Sequence, residues 1–179
     1  SYFYFALIFC FLALVIDGYI QYFTGVNLVG FKINDIRVSS FFGDELIMGS
    51  YLSRLFPLLF ALFVVKKKQK YEIYLIGILF ILVDVLIFMS GERTSFFFLN
   101  LSTIFIIILI KNYQKFRLAT FIVAIFCVLI LSSNSSNLSQ RMFKGPAENM
   151  GLIKSAKEQS IFTPAHDSHY RTAYNMFKD

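Results

Sequence analysis

The chain has 179 residues, 57% of them hydrophobic, with a mean hydropathy of +0.65 and a net charge of +6. A water-soluble domain carries about 45–50% apolar residues; here the excess falls in blocks long enough for membrane spans, which excludes an ordinary soluble enzyme. The positive balance does not point to nucleic acid, because much of it lies in short loops between apolar runs, where it sets membrane orientation.

Five apolar runs follow one another at 3–23, 46–65, 71–90, 95–110 and 118–133. They predict an all-α polytopic transmembrane bundle, because a bilayer core of about 30 Å takes about 20 apolar residues in a helix. The first run is too long for a signal peptide and has no small-residue cleavage site. Cys10 and Cys127 fall inside apolar runs and read as small buried hydrophobes, with no disulfide framework and no metal-ligand spacing.

The loop at 66–70 contributes Lys66, Lys67, Lys68 and Lys70, and the loop at 111–117 contributes Lys111, Lys115 and Arg117, with no acidic residue in either. The positive-inside rule makes both loops cytoplasmic. The connection at 24–45, the turn at 91–94 and the tail at 134–179 then share the opposite side. Within the tail, 132–139 reads as a Ser/Asn linker. Its two Asn-x-Ser patterns, at Asn134 and Asn137, are chance matches to a glycosylation signal in such a linker. Gly145-Pro146-Ala147-Glu148 reads as a helix start. Tyr170, Ala173, Tyr174 and Phe177 recur at one helix face, which could lie on a membrane surface or dock over the bundle. The chain starts at Ser1 and stops at Asp179 inside that helical pattern, which reads as a piece of a longer protein.

Asp17, Arg54 and Asp84 sit inside the apolar runs, where charges are costly and are kept for pairing or function. At a rise of about 1.5 Å per residue, Asp17 and Asp84 lie about 9 Å and Arg54 about 12 Å below the non-cytoplasmic ends of their spans. Similar depth predicts that Arg54 pairs with Asp84 or Asp17, either as a packing device or as part of a site.

Three arginines fall on the non-cytoplasmic side: Arg37 in the first connection, Arg93 in Ser90-Gly91-Glu92-Arg93-Thr94, and Arg171 in the tail. Guanidinium forks bind phosphate bidentately and stay charged at low dielectric, so such a set suits a lipid-linked diphosphate. Independent snorkelling of each arginine is the plainer alternative. Asp44 and Glu45 could orient an acceptor sugar or simply solvate the end of the connection. His166 and His169 have the pKa range of a general base, and a surface or structural role fits them as well.

The segment Asp17-Gly18-Tyr19-Ile20-Gln21-Tyr22-Phe23-Thr24-Gly25, the run from Arg37 to Arg54, Ser90-Gly91-Glu92-Arg93-Thr94 and the ending His169-Tyr170-Arg171-Thr172-Ala173-Tyr174 together resemble the O-antigen polymerase and ligase family. The resemblance implies a bacterial inner-membrane glycosyltransferase whose donor is an oligosaccharide on undecaprenyl diphosphate, with no metal and no other cofactor. It implies a bundle over 1–133 and the start of a large, partly helical periplasmic loop over 134–179. It assigns the diphosphate to Arg37, Arg93 and Arg171. Its proposed base histidine follows the loop arginine and a glycine-rich stretch, which would place it past Asp179; His166 and His169 both precede Arg171. The expected activity is polymerisation of lipid-linked repeat units at the periplasmic face. Ligation of the glycan to lipid A-core is the near alternative. A lipid-linked glycan transporter is a rival of another class, although transporters tend to show internal repeats and broken helices. A non-catalytic membrane scaffold is a third rival, and it would not need the three arginines together.

Overall fold

The computed structural model describes residues 2–34, 36–66, 70–149 and 164–178. Lys67 and Lys68 of the lysine-rich loop, and Asp35, lie outside them. The chain divides into two compact units, Ser1–Ser135 and Ser136–Asp179.

The first unit holds five long helices: α1 (Tyr2–Thr24), α2 (Met48–Val65), α3 (Lys70–Met89), α4 (Arg93–Leu109) and α5 (Gln114–Asn134). Among the described residues, four runs of helix are long and apolar enough to cross a membrane. The remaining helix, α4, has 17 residues, or about 25 Å at about 1.5 Å per residue, a little short of a bilayer core. Large apolar side chains face outward, among them Phe9 and Ile16 on α1, Ile78 on α3, Phe97 and Ile108 on α4, and Ile122, Phe126 and Leu129 on α5. A bundle that exposes such faces is solvated by lipid. The chain is therefore an all-α, multi-pass membrane protein.

The direction of the chain alternates, so one end of the unit carries the connection 25–47, the turn 90–92 and the end of α5. We call this the loop end. The other end carries the 66–70 and 111–113 connections and is called the lysine end. Near the lysine end an aromatic core forms where Phe63 packs on Phe60, Phe80, Tyr113 and Phe116 at 5.4–5.9 Å between ring centroids. Lys66 bridges to Glu72 at 3.5 Å and its ammonium lies 4.4 Å from the Phe5 ring centroid.

Two sequence expectations are corrected here. Arg117 is not a loop charge: it lies in the first turn of α5 and is fully buried, with its Nη1 2.9 Å from Asp84 Oδ2 and its Nη2 donating to Asp84 Oδ1 at 3.1 Å. Arg54 therefore pairs with neither Asp84 nor Asp17. It is exposed on α2 and has no ion-pair partner among the described residues. The depth estimate fixed height along the bundle but not direction around the helix, and α2 buries Leu52, Ser53 and Phe56 instead.

In the second unit α6 (Ser136–Ser139), a π-helical turn (Gln140–Lys144) and α7 (Gly145–Asn149) run on as nearly continuous helix. The expected Ser/Asn linker at 132–139 is thus mostly helical, broken at Ser135, whose backbone is extended. Gln140 donates to Glu148 at 3.1 Å across this segment. The last helix, α8 (Pro164–Lys178), forms where the apolar face was predicted and exposes Tyr170, Tyr174 and Phe177.

Candidate functional site at the loop end

Asp17 and Gln21 are one helical turn apart on α1, both fully buried, and together they hold the connection between α1 and α2. Asp17 Oδ1 accepts the Leu28 N–H at 2.8 Å, and Oδ2 accepts the Ser40 hydroxyl at 2.6 Å and the Asn27 amide at 3.3 Å. Gln21 Oε1 accepts the Ser39 and Ser40 N–H groups at 2.9 and 2.7 Å. Asn27 Oδ1 takes the N–H groups of Val29, Gly30 and Phe31, closing a tight turn. Ser40 has φ +52°, a left-handed conformation that costs a non-glycine residue about 1–2 kcal/mol. The paired bonds from Gln21 and Asp17 hold it there. Buried polar groups that are all bonded specify one arrangement of the backbone.

That scaffold delivers Arg37 to the top of α3 and α4. Val38 N–H donates to the Met89 carbonyl at 3.3 Å, Arg37 Nε donates to the Ser90 carbonyl at 2.9 Å, and its Nη2 donates to the Leu46 carbonyl at 3.1 Å. Arg37 is half-buried. It thus ties the first connection to the turn whose next helix begins with Arg93.

The turn itself is fixed by Glu92, a residue the sequence reading did not single out. Glu92 Oε1 accepts the Gly49 N–H at 2.7 Å, and Oε2 accepts the Ser50 N–H at 2.9 Å and the Ser50 and Ser95 hydroxyls, each at 2.8 Å. The carboxylate caps α2, where first-turn N–H groups lack partners and the helix dipole favours a negative charge. Close approach requires Gly49, since a β-carbon there would collide with the Ser90 hydroxyl and lie 2.9 Å from Glu92 Oε1. Gly91 takes φ +67°, which closes the turn.

Arg93 follows as the first residue of α4, exposed and without a hydrogen-bonding partner among the described residues. Asp44 and Glu45 are exposed in the same connection as Arg37, where the Glu45 N–H donates to the Phe42 carbonyl at 3.0 Å. The structure therefore brings Arg37 onto the turn that precedes Arg93. Arg171 belongs to the second unit and is exposed on α8, as is His169. The side chain of His166 lies outside the described residues.

Asp84 and Arg117 form the other charged feature, inside the bundle. Arg117 Nη2 also donates to Thr103 Oγ1 at 2.6 Å, Nη1 donates to Thr120 Oγ1 at 3.4 Å, and the guanidinium lies 4.6 Å from the Phe56 ring centroid. This pair links α3, α4 and α5 and is placed to fix their packing. Comparison with protein-family models, with characterised proteins and with solved structures finds no match to this chain.

Proposed function

We propose that the chain is part of a membrane glycosyltransferase that takes its glycan from a polyprenyl diphosphate at the loop end of the bundle. The observation that carries the reading is the placement of Arg93. A cation in the first turn of a helix sits against the positive end of the helix dipole, so stability does not account for it. An anion docking at that end does. The backbone at Arg93 is held by the Glu92 clamp and by the Arg37 bond to Ser90, so the guanidinium is carried on a fixed base.

In this reading an acceptor hydroxyl attacks the anomeric carbon and gives up its proton to a general base, the bond from that carbon to the diphosphate oxygen breaks, and the lipid diphosphate leaves with added negative charge. Arg93 and Arg37 stabilise that charge. Preorganised charge aimed at a developing anion is among the largest contributions to catalysis. Holding two lipid-borne reactants at one interface supplies a further part of the rate. Asp44 and Glu45 are available to orient the acceptor. The setting would be a bacterial inner membrane with the loop end periplasmic, in keeping with the basic lysine end. The preferred reaction is polymerisation of lipid-linked repeat units.

The experiment is complementation in cells that depend on the full-length protein, read as the length distribution of the surface glycan. Arg93→Lys keeps the charge but loses the bidentate fork and should shorten the chains. Arg93→Ala should abolish them at normal membrane abundance. A wild-type ladder from Arg93→Ala would remove the residue from the site.

A further inference from the structure

Between α2 and α4, below the turn at Glu92, lies a groove of about 290 Å³. It is lined on one side by Ser50, Ser53, Arg54 and Pro57, and on the other by a stripe from Thr94 through Phe98 and Leu101 to Phe105. We propose that this groove binds the phosphate of an anionic glycerophospholipid from the leaflet at the loop end, with Arg54 as its ligand.

Most of the polar lining is already committed. Ser50 and Ser95 donate to Glu92, Ser53 donates to the Ser50 carbonyl, and Ser102, also on the wall, donates to the Leu99 carbonyl. Arg54 and the Thr94 hydroxyl are left as donors with no partner among the described residues. No acidic side chain lines the groove. An uncompensated guanidinium inside an apolar span is costly, so an anion at that point is favoured.

Arg54 stands six residues below the start of α2, about 9 Å at about 1.5 Å per residue, a depth that a long side chain leaning toward the loop end largely makes up. Helical side chains lean toward the helix N-terminus, and the N-terminus of α2 is at the loop end. Arg54 can therefore snorkel upward, toward the level of Thr94 and away from the bilayer centre. Phe98, Leu101 and Phe105 continue the groove downward as an apolar wall for an acyl chain. One guanidinium offers one bidentate fork, which fits a single phosphodiester. The proposal does not rest on the glycosyl-transfer reading.

The test uses the full chain in nanodiscs of phosphatidylcholine containing a small fraction of phosphatidylglycerol with a photoreactive acyl chain, with adducts mapped by peptide mass spectrometry. Adducts should concentrate on the segment from Thr94 to Phe105. Arg54→Gln should lower them about tenfold, as expected for losing a charge-assisted contact, with Arg54→Lys intermediate. Adducts on the lipid-facing side of α5 at Phe126 and Leu129 should stay unchanged, which reports an intact bundle. With the wild-type chain alone, unlabelled phosphatidylglycerol should compete and phosphatidylcholine should not. Adduct yield that is equal in Arg54→Gln, or equal with a matching phosphatidylcholine probe, would overturn the proposal. Displacement by undecaprenyl diphosphate but not by phosphatidylglycerol would overturn it too, because the occupant would then be the polyprenyl lipid.

Discussion

Arg117 reaches Asp84 with both terminal nitrogens, at 2.9 and 3.1 Å, in a bundle interior where Arg117 is fully buried. Only the 3.1 Å contact has hydrogen-bond geometry. Asp84 Oδ2 and Arg117 Nε have no hydrogen-bond partner among the described residues, so the pair is held as much by charge as by directed bonds. Removing one member strands a buried charge, which costs about 3–5 kcal/mol. Asp84→Leu or Arg117→Leu alone should thus destabilise strongly, and the double variant should recover most of the loss. Thermal unfolding of the purified chain in detergent measures it; additive losses in the double variant would contradict the pairing.

The knot around Asp17 gives a second outcome. Asp17→Leu leaves the Leu28 N–H without its acceptor and the Ser40 hydroxyl with only the long 3.5 Å bond to the Leu14 carbonyl, a loss on the order of 1–3 kcal/mol. Asp17→Asn keeps an acceptor oxygen and should cost less. Limited proteolysis of the connection between α1 and α2 should be fastest in Asp17→Leu, intermediate in Asp17→Asn and slowest in the wild type. Equal rates in all three would show that Asp17 does not hold the connection.

Glu92 and Gly49 should behave as one device. Glu92→Ala removes the acceptor of two N–H groups and two hydroxyls, a loss of about 2–3 kcal/mol on the scale of caps and charged hydrogen bonds. Gly49→Val should give a similar loss by pushing the Glu92 carboxylate away. Because they share the Glu92 contact, while Gly49→Val also meets the Ser90 hydroxyl, the double variant should cost less than the sum of the two single changes. A double-mutant cycle on unfolding free energy checks this, and full additivity would argue against the shared contact.

Orientation is testable without any assay of function. With Cys10 and Cys127 replaced, a cysteine at Asp44 should react with an impermeant reagent on whole cells, and one at Lys115 should react only after lysis. The reverse pattern would turn the protein over and place the loop end in the cytoplasm. Removing Arg117 from the loop charges leaves the lysines of the lysine end as the basis for this expectation.

The apolar runs were legible because lipid-facing and core-facing positions are both hydrophobic, so length alone marks a span. Direction around each helix was not. Arg117 stands next to Lys115 in the chain and reads as a loop charge, yet it continues the buried stripe of Thr120, Ala124 and Val128 on α5. That periodicity was the signal that could have found it. Asp17 was recognised as an intramembrane charge, but its partners Asn27 and Ser40 are neutral and come from a connection with no regular pattern, so no spacing rule pointed to them. Arg37 and Arg93 were singled out as charges on one side of the membrane; that they flank the same turn followed only from the Ser90 bond. Glu92 stands out in no local pattern, because a carboxylate capping another helix leaves no mark in the sequence around it.

The role proposed for Arg93 is to bind and stabilise the departing lipid diphosphate. Its most direct measurement is single-turnover glycosyl transfer by the purified full-length protein in nanodiscs, supplied with a polyprenyl diphosphate-linked oligosaccharide. Arg93→Ala should lower the transfer rate about a hundredfold, the usual cost of one preorganised charge-stabilising donor, while unfolding at the same temperature as the wild type. A transfer rate within a factor of about two of wild type, well inside what one such donor contributes, would contradict the account.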